Sequence, residues 1–518
     1  MLSSLRHLLL TLLGAVLAFG TYAEPACKSC HPAETARFYM SPMGRSIGTP
    51  EALPAGRIEH SLSGSVITSE SYQGQMTHRI AERGITAEYP VAYQIGSGRR
   101  GRTFAVQIGS YLEESPISWY TGHGWDVSPG YRDLRLLDAD RSINSSCLFC
   151  HAGRAKFTDD DGQRLDSAAG VTAITCERCH GKGDEHARHP SRMNIVNPAR
   201  LTGARRDSVC EQCHLEGDAR ITNLEKRQED YRPGDLLEQT IVPYLLQRSG
   251  QERPAVSQAE ELAQSRCARA SGGRLWCGTC HNPHAAPANR ALQVRDVCMS
   301  CHPTLSPQAH PVAQIDCIGC HMPARTTSNI DHVSVTDHRI HIPGSPVPSQ
   351  VNGTDVVYPW RPPDARIQQR DLALAELEIA SRENLPDLLK DSIRRLEALP
   401  PDQQSNDPDV LSNLELVYLK NSAPEKAFAL AKWAVDSAPR SATFALNLGI
   451  AAMRAGRLAE AEQQLLRAID LNPSLMQAYA ELALLYDKQG RVDASKEILQ
   501  RFLKWNPQSI QFRMALQH

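Results

Sequence analysis

Two features are missing from this chain of 518 residues, and each argues against a class of protein. Beyond residue 23, no stretch approaches the roughly 18–20 apolar residues that a transmembrane helix needs. The chain also has no excess of charge, since 56 Lys and Arg residues against 58 Asp and Glu residues leave a formal net charge of −2. A balance this close to neutral argues against a nucleic-acid partner. We therefore expect neither a transmembrane segment after residue 23 nor nucleic acid as a ligand.

The chain is distinguished by the arrangement of its cysteines. Fourteen of its 15 cysteines form seven C-x-x-C pairs, and histidine follows every pair although the chain has only 19 histidines. C-x-x-C-H is the attachment signature of c-type haem, in which two thiols add to the vinyl groups and the histidine reaches the iron as proximal ligand. The sequence therefore predicts seven covalently attached haem c groups. The attachment cysteines are Cys27, Cys30, Cys147, Cys150, Cys176, Cys179, Cys210, Cys213, Cys277, Cys280, Cys298, Cys301, Cys317 and Cys320, and the proximal ligands are His31, His151, His180, His214, His281, His302 and His321.

Other uses of paired cysteines fit this pattern poorly. A structural zinc site takes four ligands, usually from two pairs, and needs no histidine after each pair. A thioredoxin-like site needs a single C-x-x-C, and seven disulfides that each close so short a loop would stabilise the chain very little. The remaining cysteine, Cys267, is expected to pack as a small buried residue, with a free thiol or a haem ligand as the alternatives.

Residues 1–23 have the features of a secretory signal peptide. A basic start at Arg6 and His7 precedes an apolar run at 8–20 and a small-residue end at 21–23. The apolar run is too short to cross a membrane, so cleavage after residue 23 is expected. Because haem of this type is attached outside the bacterial cytoplasm, we predict a periplasmic protein, with the outer surface as the alternative.

Residues 24–342 contain all seven motifs and form the predicted heptahaem cytochrome c domain. Six motifs lie between Cys147 and His321, which leaves each haem too few residues for a protein wall of its own. The porphyrins must then share walls and pack into contact, so that electrons pass between them by tunnelling. Plentiful glycine, proline and charged turns predict a mainly α and irregular fold. A small β-containing insert is expected at about residues 50–140, where β-rich runs alternate with turn signals.

The last third of the chain has a different character. Residues 343–370 are rich in proline and predict a linker, whereas residues 371–518 predict an all-α domain. The 34-residue period of the tetratricopeptide repeat is visible in the spacing of Pro439, Pro473 and Pro507. We predict a solenoid with three such repeats at about 408–507, whose concave face docks a partner protein. The alternative is that the array only caps or dimerises the protein.

Several motifs resemble those of a known family. They are the doubled run CMSCH (298–302) and CIGCHMP (317–323), CERCHGKGDEH (176–186) and CGTCHNPH (277–284). With them the chain resembles the multihaem cytochromes related to the tetrahaem electron carrier of ammonia oxidisers, and within that group bacterial fusions to tetratricopeptide repeats. Met-Gly-Arg-Ser at 43–46, Ile-Gly-Ser-Gly at 95–98 and Thr-Asp-His at 336–338 also match those fusions. The resemblance implies mostly bis-histidine haems in stacked pairs, and it does not imply a particular reaction.

The resemblance also implies which side chains take the distal position on the irons. The expected distal ligands are His186, His284, His310, His332 and His338, with His60 as a further candidate. Met43, or Met40 beside it, is the candidate at the first haem, where a methionine ligand would raise the potential. The alternative for Met43 is that it only packs on the porphyrin.

The position of His284 in the sequence indicates which haem it binds. It stands three residues past His281, too close to fold back comfortably onto the iron of its own motif. We therefore expect His284 to cap a neighbouring haem and to tie two cofactors together.

Two classes of function are open. In the first, the haems form an electron-transfer relay, and a redox partner docks through the repeats or at an exposed haem edge. In the second, the protein is an oxidoreductase of the nitrite or hydroxylamine type, in which one iron keeps an open coordination site. Pentahaem nitrite reductases carry C-x-x-C-K at the active haem, whereas all seven motifs here end in histidine. The sequence therefore favours an electron carrier with no catalytic residues.

Overall fold

The computed structural model describes residues 25–247, 253–285, 290–304, 316–344, 355–362 and 368–517. The predicted signal peptide and His310 lie outside these residues. The chain is multidomain, with an N-terminal region that contains a β-sheet, a cytochrome c region and a C-terminal array of helices. The described residues begin with two short helices around the first motif, α1 (Pro25–Cys30) and α2 (Pro32–Tyr39).

A ten-stranded antiparallel sheet lies between the first and second motifs, which confirms the predicted β-structure there. Its strands are β1 (Ile47–Gly48), β2 (Gly56–Glu59), β3 (Val66–Tyr72), β4 (Gln75–Glu82), β5 (Ile85–Ile95), β6 (Gly101–Ile108), β7 (Tyr111–Glu114), β8 (Ile117–Tyr120), β9 (Gly124–Val127) and β10 (Arg141–Ser142). They pair in the order β10-β7-β6-β5-β4-β3-β2, while β1 pairs with β5 and β8 joins β6 to β9.

Local sequence explains the long meander from β3 to β5. Alternate residues of β4 and β5 are buried, which is the two-residue period of a strand with one face on a core. The connecting pairs Gln73-Gly74 and Arg83-Gly84 have positive φ at both residues. Two such residues form the type I′ turn, whose twist matches that of the flanking strands. Ile67 and Ile80 face each other across β3 and β4 and are fully buried.

The cytochrome c region is built from short helices joined by irregular segments. In chain order its elements are α3 (Ser145–His151), α4 (Glu177–His180), α5 (Asp184–Arg188), α6 (Gly203–His214), β11 (Ala219–Thr222), β12 (Ile241–Gln247), α7 (Gln258–Gln264), α8 (Arg266–Ala270), α9 (Cys277–Cys280), α10 (Arg290–Cys301), α11 (Cys317–His321), β13 (Ala324–Arg325) and β14 (Val335–Thr336). β13 and β14 form a separate two-stranded ladder.

The structure differs from the prediction in the proposed linker at 343–370. Part of it is a strand, β15 (Val356–Pro359), which pairs with β12 so that Tyr358 lies opposite Leu245. β12 becomes the central strand of a three-stranded sheet, and this explains why six of its seven residues are buried. The β-branched pair at 356–357 favours a strand despite the prolines around it.

The C-terminal domain is entirely helical. Its helices are α12 (Gln368–Glu383), α13 (Pro386–Glu397), α14 (Pro401–Ser405), α15 (Pro408–Lys420), α16 (Pro424–Ser437), α17 (Ala442–Arg454), α18 (Leu458–Leu471), α19 (Met476–Lys488), α20 (Val492–Trp505) and α21 (Ile510–Ala515). Three successive pairs, from α15 to α20, form the repeats. Gly449 explains the close approach within the second pair, because a Cβ at that position would lie 2.7 Å from Leu465 Cγ.

The helical array packs against the rest of the chain at both ends. At its start, Leu374 of α12 shares one apolar core with Tyr244 of the three-stranded sheet. At its end, Ile510 of α21 is fully buried in the core of the ten-stranded sheet. Trp505 also meets the ring of Tyr111 edge-on, with ring centroids 5.8 Å apart. The repeats therefore brace the cytochrome region as well as extending from it.

A loop of the cytochrome region caps the second repeat. The carboxylate of Asp161 accepts hydrogen bonds from Ser441 Oγ at 2.6 Å and from the backbone N–H groups of Ala442 and Thr443 at 2.8 and 3.1 Å. These N–H groups begin α17, where a helix has unpaired donors and favours negative charge. A residue 280 positions away in the sequence therefore fixes the array in place.

Candidate haem-binding sites

The C-x-x-C-H motifs fold as single helical turns. In four of them the backbone N–H of the histidine donates to the carbonyl of the first cysteine at 2.8–2.9 Å; these histidines are His31, His180, His281 and His302. Residues three and four apart lie on the same face of a helix. This spacing therefore turns both thiols and the imidazole of each motif to one side, as a covalently attached haem requires.

Side-chain caps hold two of these short helices. Asn144 Oδ1 accepts from the N–H groups of Ser146 and Cys147 at the start of α3. Asp316 Oδ1 accepts from Ile318 and from Gly319 at the start of α11, both at 3.1 Å. Asn and Asp are preferred at this position because they satisfy the free N–H groups of the first turn. The caps therefore fix the residue at which each helix begins, and with it the position of the cysteines.

Three motif histidines each face a second histidine at a similar distance. The ring centroids of His31 and His186 are 6.4 Å apart, with 15° between the ring planes. Those of His180 and His284 are 5.8 Å apart at 15°. The third pair is His281 with His338, at 6.2 Å and 30°. In each pair the second histidine is one that the sequence predicts as a distal ligand.

The separation of these rings fits one iron between two imidazoles. An imidazole nitrogen binds a metal ion such as zinc at about 2.0–2.1 Å, so two nitrogens on opposite sides of one ion are about 4 Å apart. Adding the distance from each nitrogen to its ring centre gives about 6 Å between centroids. Directly stacked rings are much closer, as His123 and His332 are at 3.6 Å. The residues present therefore fit a bis-histidine haem at each of the three sites.

Hydrogen bonds at Nδ1 determine which ring nitrogen carries the proton in four of the histidines. Backbone carbonyls of Val196, Ser191, His341 and Thr336 lie within 2.8–3.0 Å of Nδ1 in His180, His186, His321 and His338, respectively. A carbonyl only accepts hydrogen bonds, so each Nδ1 carries the proton and each Nε2 keeps its lone pair. Ligand histidines in metalloproteins commonly have this outer hydrogen bond. At His284, burial and then the neighbouring His180 lower the pKa, which keeps this ring neutral and able to bind.

Neighbouring side chains connect all seven C-x-x-C-H motifs. We number the motifs 1–7 in chain order. The ring pairs join motif 1 to the segment after motif 3, motif 3 to the segment after motif 5, and motif 5 to the segment after motif 7. Neighbouring sulfur atoms join motifs 2 and 4, motifs 4 and 5, and motifs 6 and 7; the sulfur pairs are Cys150 with Cys213, Cys210 with Cys277, and Cys298 with Cys317. These contacts place the seven motifs in one connected network.

His60 is a correction to the predicted ligand set. Its Nε2 lies 2.7 Å from the carbonyl of Arg132 and its Nδ1 lies 2.8 Å from Ser63 Oγ, in the turn between β2 and β3. The carbonyl makes Nε2 the donor, so Nδ1 accepts from the serine hydroxyl. Both ring nitrogens are thus used within the β-sheet region, and neither is left for an iron.

Two other predicted ligands lie elsewhere than expected. Met43 is half-buried in a short 3-10 helix, Met43–Arg45, and Met40 is 73% exposed, while the ring that faces His31 belongs to His186. His332 stacks on His123 rather than facing one of the three paired motif histidines.

Cys267, expected to be buried, is half-buried on α8, where burial raises the pKa of its thiol.

The sequence did not predict the residues that hold His338. Glu261 is fully buried, and its carboxylate accepts from the backbone N–H of His338 at 3.0 Å and from Arg325 Nε at 2.5 Å. Arg325 also donates to the carbonyls of Arg253 and Pro254 at 3.0 and 3.1 Å. This buried ion pair joins parts of the chain 64 residues apart, and only an acidic pair in a helix, at 260–261, hints at it in the sequence.

Three models of known families match parts of the chain. Residues 269–306 match the doubled CXXCH motif, residues 131–181 match cytochrome c554 and c-prime, and residues 442–475 and 477–509 match the tetratricopeptide repeat. These matches confirm the predicted combination of multihaem c-type cytochrome regions with C-terminal repeats. No curated protein matches the chain.

Several solved structures resemble the chain in its repeats. A crystal structure of MamA shares 25% identity over 26% of this chain and 78% of its own, with a TM-score of 0.23. YrrB, described as a TPR protein with an unusual peptide-binding site, shares 18% over 28% and 75%, with a TM-score of 0.25. PilF of Pseudomonas aeruginosa shares 24% over 29% and 66%, with a TM-score of 0.24. No helix among the described residues has both the length and the apolar character to cross a bilayer.

Proposed function

We propose that this chain, which joins multihaem c-type cytochrome regions to C-terminal tetratricopeptide repeats, is an exported seven-haem electron-transfer relay. The observation that carries the proposal is the connected network of motifs, in which each motif is linked to another by a facing histidine or by neighbouring sulfur atoms. Such links bring neighbouring cofactors together, and a relay needs short steps between them. The mature protein acts in the periplasm, with the outer surface as the alternative.

Each haem, when bound, supplies one-electron chemistry at its iron. The protein contributes attachment, orientation and insulation. The cysteines fix each porphyrin, and the carbonyls that bind Nδ1 fix the rotation of the ligand rings. His186, His284 and His338 are the distal ligands that we propose for motifs 1, 3 and 5. Buried Glu261, which is paired with Arg325, positions His338 through its backbone N–H.

The haem count and the spin state test the relay directly. We expect seven haems per chain by a pyridine haemochrome assay of the purified protein. We also expect the electron paramagnetic resonance spectrum of the oxidised protein to contain only low-spin ferric signals, because a histidine or other side chain occupies every sixth position. Fewer than seven haems, or a high-spin signal, would contradict the proposal as stated.

The alternative function is an oxidoreductase with one open haem. One observation favours it, since among the described residues neither His151 nor His214 is paired with a second imidazole at the separation of the other three sites. A high-spin signal in the same spectrum would support this alternative. Nitrite and hydroxylamine would then be added to learn whether either compound shifts that signal.

The repeats suggest a protein partner, and their first helices offer a surface for it. Two rows recur with the 34-residue period on α15, α17 and α19. The apolar row is Leu416, Ile450 and Leu484, and the basic row is Lys420, Arg454 and Lys488. Leu416 and Leu484 are 47% and 41% exposed, and all three basic residues are exposed. We propose that these rows form part of the docking surface, which would favour a partner with acidic and apolar residues.

Removing the basic row should weaken docking without unfolding the array. The variant is Lys420→Gln with Arg454→Gln and Lys488→Gln, and its matched control is Lys432→Gln with Lys496→Gln and Lys504→Gln on the second helices. Each row residue ends its helix, where a cation stabilises by about 0.3–1 kcal/mol, so helicity should fall only slightly. In cross-linking with a periplasmic extract, we expect specific adducts to persist in the wild type and the control and to disappear in the row variant. Equal adducts in all three would contradict the proposed surface.

A further inference from the structure

We propose that His123, Asp126 and His332 form a binding site for a divalent first-row transition-metal ion of the zinc class, separate from the haems. The three side chains come from two distant parts of the chain, and one ligand atom from each lies within 4.8 Å of the others. His332 Nε2 is 2.6 Å from Asp126 Oδ2, a hydrogen bond that a bound ion would replace, and His123 Nε2 is 3.9 Å from the same oxygen. This site goes beyond the relay function.

The chemistry of the three donors suits zinc and its neighbours. Two neutral imidazoles and one carboxylate are the donor types that such ions prefer, and calcium and magnesium favour oxygen ligands instead. Three protein ligands leave further coordination positions for water or for a small ligand. These side chains are 47%, 27% and 26% exposed, so an ion could reach the site from solvent.

The hairpin of β8 and β9 positions two of the three ligands. Gly124 begins β9 with φ +107, which lets the chain turn sharply after His123. Asp126 then points to the same side from the second strand. The aromatic pair Trp119 and Trp125 holds the two strands together, with ring centroids 5.5 Å apart. The turn and the strand pair thus fix the backbone of both ligands before any ion binds.

The third ligand is held in a conformation that costs energy. His332 has φ +58, in the left-handed region that residues other than glycine rarely adopt. The centroid of its ring is 3.6 Å from that of His123, with 12° between the ring planes. The ring of Tyr120 meets it edge-on, with ring centroids 5.2 Å apart. Residues kept in such a conformation cluster at functional sites. Because the two imidazoles are parallel, His123 must rotate about its side-chain torsions to aim Nε2 at an ion, and its exposure permits this rotation.

The surrounding charges decide how tightly an ion would bind. Arg132 Nη2 lies 3.5 Å from Asp126 Oδ2 and 2.9 Å from Asp331 Oδ2. The guanidinium therefore competes with a cation for the carboxylate of Asp126, whereas Asp331 adds negative charge nearby. Replacing Arg132 should strengthen metal binding, and removing a ligand should weaken it. These opposite effects distinguish a specific site from general attraction of cations to the surface.

Zinc binding by the intact haem-loaded protein tests the site. The protein is treated with a chelator, which leaves covalent haem in place, and is then titrated with Zn²⁺ by calorimetry with elemental analysis of the washed product. We expect one Zn²⁺ per chain in the wild type. For His123→Ala and Asp126→Asn we expect affinity lower by more than about tenfold, since loss of an outer hydrogen-bond partner alone costs 10–100-fold. Arg132→Gln should bind more tightly, and the exposed His189→Ala should match the wild type.

Three outcomes would overturn the proposal. One is no stoichiometric Zn²⁺ in the wild type, and another is equal affinity in the wild type and His123→Ala. The third is a change in haem spin state in His332→Ala, which would show that this ring is an iron ligand. Haem spectra of every variant report on folding, so a misfolded variant would be recognised and replaced by Asp126→Asn. Because the relay is judged from haem count and spin state, its failure and the failure of this site would be seen separately.

Discussion

Replacing His284 by alanine is expected to convert one haem per chain from low-spin to high-spin. The ring of His284 lies 5.8 Å from that of His180, a separation that accommodates one iron. Alanine removes the sixth ligand while the cysteines and His180 keep the haem attached. The measurement is the electron paramagnetic resonance spectrum of the oxidised variant, with high-spin ferric iron counted per chain. The affected haem should be that of motif 3 and not that of motif 5, where His284 itself lies.

Two further variants make this test specific. His284→Met should restore a low-spin spectrum and raise the midpoint potential of the same haem, because methionine ligation raises the potential of a c-type haem. His60→Ala should leave every haem low-spin, since both ring nitrogens of His60 are hydrogen-bonded within the β-sheet region. A fully low-spin His284→Ala would remove this residue from the ligand set. A high-spin signal in His60→Ala would restore the sequence-based assignment that the structure corrects.

The sequence predicted the attachment motifs and the repeats because both are encoded locally. In C-x-x-C-H, two thiols and an imidazole within five residues suffice for the chemistry, and one helical turn brings them to one side. The repeats are visible because the same residue types return with one 34-residue period, as Pro439, Pro473 and Pro507 illustrate. Neither feature depends on a contact with a distant part of the chain.

Ligand pairing is a long-range property, and the sequence could only suggest it. His31 faces His186, and His281 faces His338, but no pattern in the sequence indicates which two histidines face each other. The sequence also could not distinguish a histidine with a free Nε2 from one with two hydrogen bonds. That difference, which separates His186 from His60, depends on where carbonyls such as those of Ser191 and Arg132 lie in the fold.

The sequence also did not predict the contacts between domains, because these contacts join distant parts of the chain. The segment at 356–359 pairs with the edge of β12, and the proline-rich composition around it gave no sign of that partner. Burial of Ile510 in the core of the ten-stranded sheet joins two regions that appear separate in the sequence. The repeat array was predicted as an appended docking domain, and its packing adds the role of a brace.

The junction between the cytochrome region and the repeats depends on one buried arginine, Arg370. Its guanidinium makes a bidentate pair with Asp407 at 2.7 and 3.1 Å and also contacts Asp371 at 2.7 Å. It donates as well to the carbonyl of Thr222 on β11 at 2.9 Å. Asp407 is in turn the N-cap of α15, where it accepts from two N–H groups. One side chain therefore joins the three-stranded sheet, the first helix of the array and the first repeat.

Replacing Arg370 by methionine is expected to destabilise the protein by about 3–5 kcal/mol, because it leaves buried carboxylates without their partner. For a domain of this size, we expect the thermal midpoint of the helical signal to fall by about 6–20 °C. Arg382→Met on the same helix is the matched control. Its side chain is 47% exposed, and exposed ion pairs contribute only about 0–1 kcal/mol.

The pH dependence of this effect identifies its cause. Burial raises the pKa of Asp371 to about 6, above its ordinary value, so the folded protein holds that proton more tightly than the unfolded chain. The resulting stabilisation is complete at low pH and is lost as the pH rises through about 6. At pH 5 Asp371 is protonated and needs no partner, so Arg370→Met should cost less at pH 5 than at pH 7.5. The double variant Arg370→Met with Asp407→Asn should recover part of the loss at pH 7.5, because asparagine keeps the N-cap and removes the unpaired charge. A cost that is equal at both pH values and unchanged in the double variant would mean that lost packing, and not buried charge, destabilises the junction.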